Sequence, residues 1–351
     1  MTAQLTATET NENTAMAGEK VVNLALQGSG SHGAFIWGAL DRILEDGRIA
    51  FDGVTATSAG AVNAVVLADG LARGGREGAR ERLRSFWKTM SDASAKSVIA
   101  PSPIDQLNPT FGLEHTPAYL WNEMLCRVMS PYELNPSDNN PLRNLFNATI
   151  DFERVRRQKV VKVFLCATNV RTSKVKVFER EELTAEHVLG SGCMPIKMRA
   201  AEIDGEHYWD GGFMGNPAIF PVIYGCDAQD VVMVHLTPFE RAENPTSSPA
   251  IIARMQEIIF NSSLMREMRA IAFVTKLIDD GKMAGGKRMY MHLIDAEDVI
   301  RPLSGSSPAN GTWRFLTYLF DLGRERADKW LSEHYGQLGK ETTVDMQEKY
   351  L

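Results

Sequence analysis

The sequence predicts an α/β chain built on a mainly parallel sheet, and three observations predict it. From residue 21 onward, short apolar runs alternate with glycine turns and helical patterns. Further apolar runs at 160–169, 231–236 and 289–294 have strand length, and 249–279 and 312–335 carry helical spacing. The composition, 44% hydrophobic and 23% charged over 351 residues, is that of a globular chain able to bury a large core.

In chain order, residues 1–19 are rich in Thr, Asn, Glu and Ala and read as a disordered leader, with neither the basic nor the apolar region of a signal peptide. The body of the fold is expected over 20–340 as a single domain, and 341–351 as a C-terminal tail. A strand over 21–26 enters a glycine-rich turn, and 34–45 follows as a helix with Phe35, Ile36, Ala39, Leu40, Ile43 and Leu44 on one face. A second strand over 51–56 turns sharply at 57–60 into a small-residue helix over 61–71, and 77–90 is again helical. Residues 91–147 are broken by prolines and read as an insertion that caps the sheet, irregular over 91–117 and helical over 118–129. Strands return at 160–169 and 174–179, a short helix at 184–192, and a hairpin around Asp204–Gly205.

Composition bounds the function. The 38 Lys and Arg against 44 Asp and Glu leave a net charge of −6, which gives no global basic field for nucleic acid. No apolar run approaches the roughly 18 residues of a membrane span. Cys126, Cys166, Cys193 and Cys226 form neither a CxxC pair nor a zinc pattern and read as buried free thiols in a reducing compartment. The expectation is a cytoplasmic protein with no cofactor and no obligatory metal.

Three segments carry chemistry. In Ala56-Thr57-Ser58-Ala59-Gly60 a serine stands between strand and helix with small neighbours, as a nucleophile elbow requires; a simple N-cap serine would look similar. In Gly28-Ser29-Gly30-Ser31-His32-Gly33, backbone N–H groups can converge on an anion, and with Asp52 following 22 residues after Gly30 the loop also admits a dinucleotide reading. In Tyr208-Trp209-Asp210-Gly211-Gly212, followed by Asn216-Pro217, the two glycines allow another backbone to approach the aspartate closely, though a plain Asx-turn loop fits as well. An oxyanion hole serving Ser58 accounts for the first two segments at once.

Together, over roughly 20–225, these segments resemble the patatin-like phospholipase family. The resemblance implies a three-layer α/β/α fold and a lipid acyl hydrolase of the phospholipase A or esterase type. It places the nucleophile at Ser58 and the base at Asp210, without a bridging histidine. It assigns the oxyanion loop to Gly28, Ser29, Gly30, Ser31, His32 and Gly33, with Ala56, Gly60, Gly211 and Gly212 as supporting positions. Three positions depart from the family pattern. Ala56 replaces the first elbow glycine. Ser29 replaces a loop glycine, so it should not need positive φ. His32 replaces an Arg or Lys, and its charge should depend on pH. A lipid ester substrate implies transient contact with a membrane surface, for which Ile104, Leu107, Phe111, Leu113, Leu120 and Trp121 of the cap are candidates. Two other readings stay open: a Ser-Asp-His triad using His235, His292 or His334, and a non-catalytic binding member of the fold.

Overall fold

The computed structural model describes residues 18–350, so most of the expected leader lies outside the described residues. The chain opens with β1 (Lys20–Leu26), a single 3-10 turn at Gly30–His32, α1 (Gly33–Asp46), β2 (Ile49–Ala56) and α2 (Ala59–Ala95). α2 is two helices joined at a kink where Gly74 and Gly75 leave helical geometry. The cap follows as α3 (Pro103–Leu107), α4 (Pro117–Val128), α5 (Pro131–Leu134) and α6 (Pro141–Thr149), and α7 (Phe152–Arg157) leads back to the sheet. Then come β3 (Lys162–Asn169), β4 (Val175–Glu179), α8 (Ala185–Ser191), β5 (Ala201–Ile203) and β6 (Glu206–Asp210). The remainder is α9 (Phe220–Gly225), β7 (Asp230–His235), α10 (Ser248–Asp279), β8 (Tyr290–Asp295), α11 (Glu297–Ile300), α12 (Trp313–His334) and α13 (Met346–Tyr350).

The prolines of the cap act differently from the expectation that they break it. Pro103, Pro117, Pro131 and Pro141 each open a helix. A proline in the first turn lacks only an N–H that would have no partner there, and its φ is already helical. Ser102, Ser130 and Asn140 before three of them accept a backbone N–H from the new turn. The region expected to be irregular over 91–117 therefore contains the end of α2 and all of α3.

The eight-stranded sheet runs β5-β6-β3-β2-β1-β7-β8, with β4 paired to β3 outside that path. β3, β2, β1, β7 and β8 are parallel, and β4, β5 and β6 join antiparallel. One face carries the core of α1, α2 and α12, and the other packs α9, α10 and α13, giving three layers. Register sets the site: Leu26 lies beside Ala56 and Val234, Ala56 beside Leu165, and Ala167 opposite Asp210. The turns after β1 and β2 and the end of antiparallel β6 thus meet at one edge of the sheet.

Residues 341–350, expected as a tail, pack as part of this body. Thr343 N–H donates to the Met291 carbonyl along β8, and Tyr350 is buried in the second core. Of the four free cysteines, Cys166, Cys193 and Cys226 are buried and Cys126 is half-buried.

α1 and α12 cross at glycine positions. A Cβ on Gly38 would lie 2.0 Å from the Phe320 carbonyl oxygen, and one on Gly323 2.1 Å from that of Phe35. Both contacts are backbone, so neither can yield without separating the helices. Gly38→Val is expected to destabilise the protein by about 3 kcal/mol or more, measured by denaturant unfolding, because the overpacking cannot relax locally.

Candidate active site

Ser58 sits at φ 55° and ψ −120°, at the N-terminus of α2, a backbone conformation that costs a non-glycine residue about 1–3 kcal/mol. Close packing enforces it. A Cβ on Gly60 would lie 2.2 Å from the Leu26 carbonyl oxygen, and one on Gly28 2.4 Å from the Ser58 Cβ. Ala56 is fully buried within β2, so its methyl group belongs to the core. Hydrogen bonds fix the turn from outside. Ser58 N–H donates to Ser191 Oγ at 2.9 Å, Ser191 Oγ–H donates to the Cys166 carbonyl at 2.7 Å, and Thr57 Oγ1–H donates to the Gly215 carbonyl at 2.7 Å.

Asp210 is buried to 1% exposure, and no cation pairs with it among the described residues. Loss of hydration pushes its carboxyl up to about 6, a rise only partly offset by the Gly212 N–H, which donates to Oδ1 at 2.7 Å, and by the Ser58 hydroxyl. Gly211 admits this close seat, since a Cβ there would lie 2.2 Å from the Cys166 carbonyl oxygen. The Asx-turn expected at this segment is present, but it orients a carboxylate that faces the serine.

The glycine-rich loop divides its labour. Gly28 N–H donates to Asn216 Oδ1 at 2.8 Å and so is not offered to an oxyanion, a correction to its expected part. His32 N–H donates to the Ser29 carbonyl and Gly33 N–H returns into the turn, while a Cβ on Gly33 would press on Ala59. That leaves the N–H groups of Ser29, Gly30 and Ser31, which have no protein acceptor among the described residues. Ser29 lies at φ −165°, extended backbone that any residue adopts, and Gly30 at φ 55°. His32 also departs from expectation. It is buried between Ser29 Oγ (3.1 Å from Nδ1) and Ser307 Oγ (2.8 Å from Nε2), and burial pulls it down to about 3. It is a neutral strut rather than a pH-dependent charge, because its ring is desolvated and both nitrogens are held by hydroxyls.

Two cavities meet at this point. Ser29, Gly30, His32, Ser58 and Asp210 border one of about 310 Å³, and Gly30, Ser31 and Ser58 border another of about 450 Å³. None of the candidate triad histidines joins them. His235 Nδ1 lies 3.1 Å from Asp295, His292 bridges Asp230 and Thr343, and His334 bonds Gln337. Asp52, the acid of the dinucleotide reading, accepts the Asp227 and Ala228 N–H groups at 2.6 and 2.9 Å. His235, Asp295 and Glu297 bring possible metal-ligand atoms within 4.8 Å of one another, but the Lys349 ammonium pairs with Asp295 and stands 3.7 Å from Glu297, supplying the cation itself.

Sequence reasoning missed Ser191 as an anchor and Ser307 altogether. In the sequence Ser191 falls only at the end of the short helix expected over 184–192. Ser307 carries no local signal, since it reaches the loop across 275 positions of chain.

The three-layer α/β/α chain thus sets a serine on a strained strand-to-helix turn against a buried carboxyl and beside backbone N–H groups that have no protein acceptor among the described residues. The family model for patatin-like phospholipases matches residues 24–223, and the chain belongs to that family of lipid acyl hydrolases. No curated protein sequence matches the chain. Among solved structures it is similar to VipD from Legionella pneumophila, at 15% identity over 89% of this chain and 67% of that one, with a TM-score of 0.42. It is also similar to ExoU of Pseudomonas aeruginosa, solved with SpcU from the type III secretion system, at 13% identity and a TM-score of 0.36. That match covers 90% of this chain, which spans about half of the ExoU chain (52%).

The strain at Ser58 can be measured. Ser58→Ala and Ser58→Gly both remove the hydroxyl, but only glycine tolerates φ 55°. Ser58→Gly is expected to exceed Ser58→Ala in unfolding free energy by about 1 kcal/mol.

Proposed function

We propose that the protein is a serine carboxylic-ester hydrolase of lipid acyl esters, with Ser58 as nucleophile and Asp210 as its base. The observation that carries this is the pairing of a serine on a strained turn with a buried aspartate whose carboxyl is raised to about 6 by burial. An ordinary carboxylate, with a pKa of about 3.9, is a poor proton acceptor from a hydroxyl, and burial brings this one closer to the operating pH.

Ser58 Oγ attacks the ester carbonyl carbon as its proton passes to Asp210. The carbonyl oxygen becomes an oxyanion held by the N–H groups of Ser29 and Gly30, with the N-terminus of α2 adding positive potential. Collapse breaks the ester C–O bond, and the alcohol leaves with the proton from Asp210. Water then attacks the Ser58 acyl ester, gives its proton to Asp210, and releases the acid as Ser58 recovers its hydrogen. Asn216 and His32 hold the loop in place without touching the reacting atoms.

Contact with a lipid surface fits the cap. Phe111 and Leu113 are buried, but Ile104, Leu107, Leu120 and Trp121 are exposed. α4 has no buried residue, and its Tyr119 lines the smaller cavity. No described helix is long and apolar enough to cross a membrane.

Hydrolysis of p-nitrophenyl esters tests the assignment. Ser58→Ala and Asp210→Asn are each expected to lower kcat by about 10⁴-fold; equal turnover by wild type and Ser58→Ala would remove the mechanism. The wild-type kcat/KM should rise with pH through a single step near 6, where Asp210 loses its proton. His32 contributes no step near neutrality, since it is already neutral there.

The same burial predicts a trade of stability for activity. The folded pKa of Asp210 lies above its unfolded value, so its contribution to stability is full below about pH 4 and is lost as pH rises through about 6. Asp210→Asn should therefore raise the unfolding free energy at pH 8 by on the order of 2 kcal/mol while cutting turnover as above.

A further inference from the structure

The two cavities that meet at Ser58 differ in chemistry. The smaller one presents Lys197, Arg241, Glu257 and Tyr119. Away from Asp210 its charges are paired, Arg241 with Glu257 and Lys197 with Glu123. Among the described residues, no ionisable side chain lines the larger one. α2 contributes Val62, Phe86, Trp87 and Met90, α6 contributes Leu142 and Phe146, and α8 supplies Val188 and Leu189. Its polar groups are serine hydroxyls, Ser31 and Ser58 at the reacting end and Ser94 and Ser97 at the cap end.

We infer that the larger cavity is the acyl-chain site and that the alcohol part of the ester lies in the charged cavity, so that chain length selects the substrate. This rests on the proposed role of Ser58. The two substituents of an ester carbonyl centred on Ser58 must leave in different directions, and the structure provides two exits that both border Ser58 and Gly30. A hydrocarbon chain gains free energy in proportion to the apolar area it removes from water, and only the larger exit lets it do so without covering charged groups. The polar alcohol keeps hydrogen-bonding partners in the other.

The test uses the intact protein and a series of p-nitrophenyl esters from acetate through butyrate, octanoate and laurate to palmitate. In the wild type, kcat/KM should climb by about three- to fourfold per methylene until the cavity is filled. Val62 lies one turn along α2 from Ser58, its N–H bonded to the Ser58 carbonyl at 3.2 Å. Val62→Phe should cut laurate turnover by about tenfold or more relative to acetate, moving the optimum to short chains. Arg241→Gln, in the other cavity, should leave the chain-length optimum where it is. A second variant, Ala93→Trp, alters an exposed residue at the cap end, where folding is not at risk, and should lower palmitate turnover before it affects butyrate.

Binding of laurate to the Ser58→Ala protein, followed by calorimetry, reads the cavity without catalysis. It should be weakened by Val62→Phe and by Ala93→Trp, but not by Arg241→Gln. Ser58-dependent turnover whose chain-length profile is the same in wild type, Val62→Phe and Ala93→Trp would overturn the inference, as would an optimum that moves only with Arg241→Gln. Turnover that persists in Ser58→Ala, with laurate binding still blocked by Val62→Phe, would instead overturn the assigned nucleophile and leave the acyl site standing.

Discussion

Ser58 can occupy its strained backbone because nothing beside it has room to relax. The end of β1 and the first turn of α2 approach so closely that Gly60 has only backbone for a neighbour, and Gly28 lies against the serine itself. The parallel pairing of β1 with β2 holds these segments in register, and Ser191 holds the serine N–H from the opposite side. Strain of this kind persists only where the surrounding structure over-determines it. Here the sheet, the helix and a distant hydroxyl each impose the same geometry.

The second constraint is electrostatic. Asp210 is deprived of water and has no cation partner among the described residues, which leaves its carboxyl poised near 6. A lysine or arginine beside it would favour the charged form and restore an ordinary, weakly basic carboxylate. The protein keeps its many ion pairs elsewhere. Arg80 of α2 and Arg324 of α12, for example, each bind both Asp41 and Glu45 of α1 and so join the three helices. Charge is compensated where it supports packing and left uncompensated where the proposed chemistry needs a base.

The loop that would receive the oxyanion is held by parts of the chain remote from it. Asn216 binds Gly28 on one side. Ser307 holds His32 on the other, and a Cβ on Gly30 would strike the Pro308 carbonyl oxygen at 2.5 Å. The segment carrying Ser307 is itself tied to the cap, because Ser306 Oγ accepts the Leu113 N–H and Asn310 donates to the Phe111 carbonyl. Cap and loop are thus joined by hydrogen bonds through the segment around Ser307, which lies beyond the family-matched residues 24–223.

By itself the sequence determined the alternation of strands and helices, the turn at Ser58 and the glycine turn after Asp210, while the pairing of the two was implied only by the family resemblance. The first three are written in local signals, namely apolar periodicity, small residues around a sharp turn, and glycines after an aspartate. It misjudged the prolines at 103, 131 and 141, because a breaker and a first-turn residue have the same local appearance and only the chain that follows tells them apart. It also could not reach the charge state of His32, the loss of the Gly28 N–H to Asn216, or the part of Ser307. Those depend on burial and on hydrogen bonds that span 188 or 275 positions, and hydration and long-range partners come into being only when the sheet brings distant turns to one edge. The division of the cleft into a charged and an uncharged arm has the same origin, since its walls come from helices that meet nowhere in the sequence.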